Sequence, residues 1–151
     1  MPFRRLLALI LLLISIPLWS KARGYEIIAN KSVPATAIDP KELKQIYLGE
    51  LDYWRSGGRI RVARLSDASN VWSEFSRDVL DLTPNEFLNR WRYRLFSGRG
   101  IPPKQFESES LLISYVRDTE GAVGFIRSET VTSGPVVGLL KESLVRVLKL
   151  N

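Results

Sequence analysis

Ile60-Arg61-Val62-Ala63-Arg64-Leu65-Ser66-Asp67-Ala68-Ser69-Asn70-Val71 is the stretch on which the fold turns. Ile60 and Val62 alternate with Arg61, the two-residue period of a strand. Ser66 to Asn70 is polar and supplies helix caps. Val71, Phe75 and Val79 then recur every four residues, with Trp72 beside them, which is helical spacing. One strand, one polar turn and one helix between Ile60 and Val79 is the unit of an α/β protein.

The same alternation extends in both directions. Upstream, Tyr25 to Asn30 reads as a first strand, and Ser32 to Ala37 as a loop broken by Pro34. Asp39-Pro40-Lys41-Glu42 marks a helix start, with Asp39 as cap, Pro40 at the first position and Glu42 completing a capping box. Leu43, Ile46 and Tyr47 form its apolar face, and Gly49 its stop. Downstream, Thr83-Pro84-Asn85-Glu86 is a second capping box, opening a helix with Phe87, Leu88, Trp91 and Leu95 on one face. Arg99 to Lys104 reads as a Gly/Pro loop. Ser108 caps a further helix through Leu111, Leu112, Tyr115 and Val116. Ala122 to Ile126 is a strand, Ser133-Gly134-Pro135 a break, and Leu144 to Leu150, whose alternation is imperfect, a final strand with a short helix as the alternative. Strands interleaved with helices imply one mixed sheet flanked by helices.

The first 24 residues stand apart. Arg4 and Arg5 precede the apolar run Leu6 to Ile16, and Pro17 ends it. Small residues at Ser20 and Ala22, or at Ala22 and Gly24, suit cleavage after Ala22 or Gly24. Residues 1–24 are therefore expected to be a signal peptide and 25–151 a single domain, with an uncleaved anchor as the alternative. Membrane contact is expected only through that segment if it is retained. Cleavage after Ala22 would remove three cations and no acid, bringing the formal charge from +6 to +3. A modestly charged exported chain is a poor partner for nucleic acid. With no Cys at the cleavage site the product is not a lipoprotein, and the periplasm is the simplest destination.

Composition removes much chemistry. The 151 residues include no Cys and no His. Disulfides, thiol nucleophiles, Ser-His-Asp triads and His-based metal sites are excluded. Glu107 and Glu109 are too close in sequence to face one another across a helix turn, and Ser108 and Ser110 lack a histidine base. No calcium-loop spacing occurs. The expectation is a protein without enzymatic activity, metal or cofactor.

Several blocks, in order, resemble phosphate-type periplasmic binding proteins. They are Val33 to Tyr47 with Ile46-Tyr47-Leu48-Gly49, then Trp54, and then Asp118-Thr119-Glu120-Gly121-Ala122-Val123-Gly124-Phe125. Between them, Asn89 to Lys104 resembles a block of short, single-domain members. The resemblance implies one three-layer-like lobe of a type II periplasmic binding protein. It also implies a phosphate transporter substrate-binding role, with phosphate or a related oxyanion as ligand. Full-length relatives hold phosphate partly on a loop resembling G-S-G-T-R at a helix start. The matching stretch here is Asp67-Ala68-Ser69-Asn70-Val71-Trp72. Ser69 keeps a hydroxyl, whereas Ala68 and Asn70 stand at the Gly positions, Val71 at the Thr position and Trp72 at the Arg position.

Two surfaces are candidates for binding. Lys31, Ser32, Arg64, Ser66, Ser69 and Asn70 could form a shallow anion site; alternatively Ser69 or Asn70 only caps the helix and the arginines are solvated. Arg90, Arg92, Arg94 and Arg99, with Trp91 and Tyr93 interleaved, could bind an acidic partner such as an envelope protein, or anionic lipid headgroups, or could be an ordinary solvated face, while a homodimer or another protein could complete the ligand cleft. Trp54 and Trp72 are expected to be packing residues. A lobe without its ligand, serving as an interaction or sensor module, is the second functional class.

Overall fold

The computed structural model describes residues 23–133, 135–142 and 144–151. The expected signal segment lies almost wholly in residues 1–22, and Gly134 of the expected break is a single position; both fall outside the described residues. Among the described residues no helix is long and apolar enough to cross a membrane.

In chain order the strands are β1 (Tyr25–Asn30), β2 (Ala37–Ile38), β3 (Arg61–Leu65), β4 (Lys104–Phe106), β5 (Ala122–Arg127) and β6 (Val145–Leu150). They form one sheet of order β2-β6-β1-β5-β3-β4. β5 pairs antiparallel with β1 and parallel with β3. β6 pairs antiparallel with β1, while β2 joins β6, and β4 joins β3, in parallel. Every residue of β5 except Arg127 is buried, because helices cover both faces of the sheet.

The helices are α1 (Pro40–Tyr47), α2 (Asn70–Phe75), α3 (Pro84–Phe96), α4 (Glu109–Asp118), α5 (Ser128–Thr132) and α6 (Pro135–Lys141). On one face Phe125 stacks on Phe75 at 4.3 Å, with Trp72 and Tyr47 beside them. On the other face α4 lies across β1, β3 and β5. Gly124 permits that approach: a Cβ there would stand 2.8 Å from Leu112 Cδ2. The expected lobe with helices on both sides of a mixed sheet is what forms.

Local signals account for most helix ends. Asp39 accepts from Lys41 N at 2.7 Å, and Thr83 and Glu86 form a full capping box. The Asp39 box is only half made, since Glu42 reaches Arg55 at 3.4 Å instead. Gly49, at φ 71°, ends α1, with its N–H on Ile46 O and that of Glu50 on Gln45 O.

Four expectations need correction. The helix after Ser69 becomes a π-helical turn over Ser76–Leu80. The wider turn leaves Val79 and Leu80, adjacent in sequence, both buried. On α3 only Phe87 and Trp91 are buried, and Leu95 is 53% exposed. The Trp91 indole fills the contact by donating to Tyr47 O at 3.1 Å, and the helix end beyond it stays in solvent. On α4 the inward residues are Leu112, Ile113 and Val116, while Leu111 is exposed, because the helix is turned to seat Leu112 over Gly124. Finally, Lys104 is not merely a loop end. It opens β4, whose Lys104, Gln105 and Phe106 pair with Ala63, Arg64 and Leu65.

Candidate functional site

The antiparallel placement of β1 against β5, with β3 parallel to β5, determines which candidate residues meet. Lys31 and Ser32 follow β1 at the end of the sheet where β5 begins: the Gly121 N–H donates to Ser32 Oγ at 2.9 Å. Ser66, Ser69 and Asn70 follow β3 at the opposite end, near Arg127, the last residue of β5. The six-residue strand between them separates the two groups by roughly 17–20 Å. The six residues therefore do not form one anion site.

Lys31 and Ser32 instead belong to a structural knot. Asn30, which is buried, donates from Nδ2 to Val116 O at 2.8 Å and to Arg117 O at 2.7 Å. Its Oδ1 accepts from Ser32 N at 2.9 Å. One side chain thus supplies the missing partners at the end of α4 and the turn after β1. Gly121 sits at φ 71°, and its carbonyl accepts from Trp54 Nε1 at 3.0 Å.

At the other end, Ser66, Ser69 and Asn70 line a cavity of about 490 Å³. Three chain segments meet there: the loop into α2, the loop from β4 into α4, and the start of α5. Ser69 caps α2 by accepting from Trp72 N at 3.4 Å, and Ser108 caps α4 by accepting from Leu111 N at 3.3 Å. The Asn70 and Val71 N–H groups, in the first turn of α2, have no acceptor within the helix. The cavity thus offers the hydroxyls of Ser66, Ser69 and Ser108 and the carboxamide of Asn70. Glu107, Glu109, Glu129 and Arg127 line it too. Glu109 is engaged internally, accepting from Arg127 N at 3.1 Å and from Thr130 Oγ1 at 2.5 Å. Three carboxylates against one guanidinium give the rim an acidic balance, which works against a multiply charged anion.

Arg64 is neither solvated nor directed into this cavity. It is 5% exposed. Nη1 donates to Leu65 O at 2.9 Å and Asp67 Oδ1 at 2.8 Å, and Nη2 donates to Gln105 Oε1 at 2.7 Å. Its guanidinium lies 5.1 Å from the Trp72 ring centroid and 5.7 Å from that of Phe87. A buried guanidinium with charged and polar partners is internally satisfied. Trp72 and Trp54 are buried packing residues, as expected.

The arginine face is divided as well. Arg90 pairs with Glu50 at 2.7 Å. Arg94 Nη2 donates to Gly49 O at 2.7 Å and Arg99 O at 2.9 Å, with its guanidinium over Trp91. Arg90 and Arg94 hold the chain's own loops, and Arg99 is exposed. Ser108, Glu109 and Arg127 escaped sequence reasoning as neighbours of Ser69. No local pattern marks them; the pairing of Lys104-Gln105-Phe106 with β3 is what places residues 107–109 beside residues 66–70. Among the described residues no group of three or more Asp or Glu gathers as a metal site.

The mixed six-stranded sheet with helices on both faces has the fold of about half of several solved binding proteins. The sequence matches no protein-family model and no curated protein. Solved structures do match. One is from Clostridium perfringens, described as a phosphate ABC transporter substrate-binding protein with bound phosphate; it aligns with a TM-score of 0.61 at 18% identity over 84% of this chain and 44% of its own. PstS from Borrelia burgdorferi aligns with a TM-score of 0.60 at 16% identity over 85% of this chain and 47% of its own. An ABC-type phosphate transport receptor from Vibrio cholerae aligns with a TM-score of 0.57 at 21% identity, covering 84% and 46%. At these identities the likeness is one of fold. The chain spans less than half the length of each of these structures.

Proposed function

We propose that this chain is an exported, periplasmic solute-binding-type protein of the phosphate class that takes a small oxyanion weakly. One observation carries the reading. More than four-fifths of the chain follows the fold of about half of a protein that was solved with phosphate bound. The Ser66, Ser69 and Asn70 cavity is the place on this lobe where such a ligand finds serine hydroxyls and an amide side chain. Weak affinity follows from the acidic rim and from Arg64, whose donors are already used. A second lobe, from another copy or another protein, would complete the cleft.

Isothermal titration of the chain from Arg23 to Asn151 with phosphate, and with sulfate as comparison, tests this. The expected result is saturable, weak binding that Ser69→Ala reduces several-fold without unfolding the domain. Absence of heat from a folded sample would overturn it. That outcome favours the second reading, an interaction module that keeps the fold without the ligand, for which the inward commitment of Arg64 is the supporting observation. Export is tested separately, by the N-terminal mass of the protein recovered from periplasm; a chain beginning near Arg23 or Tyr25 is expected, and an intact Met1 in membranes would contradict it.

A further inference from the structure

A second cavity, of about 430 Å³, opens at the far end of the sheet from Ser69, between the end of α1, the start of β3 and the loop leading into β4. Four cations line it: Arg59, Arg61, Arg99 and Lys104. The acid among its lining residues is Asp52. The ion pairs formed among the described residues engage other cations, namely Lys44, Arg55, Arg64, Arg90, Arg117 and Arg127. Among the described residues the four in this cavity form no ion pair.

Part of the lining is apolar. Trp91, Ile60, Tyr115 and Pro103 line the cavity, and Ile101 stands 81% exposed at its edge. Lys104 Nζ lies 4.9 Å from the Tyr115 ring centroid, so this cation is held against an aromatic wall. The shape is maintained without using the four cations, because Arg94 ties Gly49 to Arg99 through their carbonyls. Pockets of about 300–1,000 Å³ with apolar walls and a few convergent polar groups are the usual form of a small-molecule site.

The chemistry of the lining selects the ligand. A neutral apolar molecule would desolvate the cations without pairing them, which is costly. Inorganic phosphate would leave Ile101 and the half-buried Tyr115 uncovered. We propose that this cavity binds an organic anion, with a carboxylate, sulfonate or phosphate-ester head among Arg59, Arg61, Arg99 and Lys104, and an apolar body against Tyr115 and Ile101. The site is separate from the oxyanion cavity at Ser69 and does not depend on that reading.

Fluorescence titration of the Arg23–Asn151 chain with anilinonaphthalene sulfonate, an apolar anion, against neutral phenylnaphthylamine tests the assignment. Saturable one-site binding of the sulfonate, at least tenfold tighter than the neutral analogue, is expected. Arg61→Gln with Arg99→Gln should weaken it tenfold or more, while Ser69→Ala leaves it unchanged. A urea transition confirms that each variant is folded, and Lys104→Gln with Arg59→Gln replaces the first pair if that pair unfolds. Equal affinity for the neutral probe, unchanged affinity in the folded cation variants, or no saturable binding up to millimolar sulfonate would overturn the proposal.

Discussion

Arg64 Nη1 and Asp67 Oδ1 meet at 2.8 Å across the mouth of the loop that leads into α2. The pair closes the strand-to-helix turn upon itself, with Gln105 of β4 holding the other guanidinium nitrogen. An arginine that sequence alone offers as an anion ligand is thereby made a structural tie between β3, β4 and the aromatic core.

Replacing Arg64 should consequently cost stability rather than ligand affinity. Arg64→Ala removes three hydrogen bonds and the contact with Trp72, and strands Gln105 and Asp67; a loss of about 2–4 kcal/mol is expected, at the lower end because Asp67 is partly exposed. Urea unfolding measures it. A folded variant of unchanged stability with lost phosphate binding would return Arg64 to the ligand site.

Asn30 is the corresponding tie at the other end of the sheet. Asn30→Ala leaves Val116 O, Arg117 O and Ser32 N without their partner, for an expected loss of about 2–3 kcal/mol. Chemical denaturation, with amide exchange at the end of α4 rising locally, is the check.

Two glycines separate backbone strain from collision. Both Gly57, at φ 98°, and Gly121, at φ 71°, occupy conformations that L residues rarely adopt. Gly57→Ala places its Cβ in open space and should cost about 1 kcal/mol from strain alone. Gly121→Ala drives its Cβ onto the Arg59 carbonyl, within the backbone, and should cost well over about 2 kcal/mol or prevent folding. Thermal unfolding of the two variants should rank them in that order.

Stability should fall at both pH extremes for identifiable reasons. Hydrogen bonds from the Thr83 backbone and side chain hold the Glu86 carboxyl below its ordinary value. Its contribution is therefore present above the unfolded carboxylate pKa and is lost as pH falls through the lower, folded value. Burial, with Asp78 nearby, raises the Tyr25 phenol to about 12. That contribution is intact below pH 10 and disappears as pH rises toward 12. Urea midpoints measured across pH should show both limbs; Glu86→Gln should flatten part of the acid limb, and Tyr25→Phe part of the alkaline one.

Much of this architecture is written locally. Asp39, Ser69, Thr83 and Ser108 each cap the helix that follows, and Gly49 ends the one it closes, because capping depends on atoms within a few residues. The strands at Tyr25–Asn30, Arg61–Leu65 and Ala122–Arg127 declare themselves by their apolar content. Lys104–Phe106 does not, since three residues after a Pro pair carry too little pattern and gain their strand character from pairing with β3.

The sequence by itself thus determined the alternating elements, the helix caps and the family resemblance, all of which rest on short-range spacing. Only the tertiary structure decided which residues share a site. Strand direction set Lys31 and Ser32 at one end of the sheet and Ser69 at the other, and pairing with Gln105 and Asp67 drew Arg64 inward. Those outcomes depend on hydrogen bonds between segments distant in sequence, and no local pattern encodes the direction from which such a partner arrives.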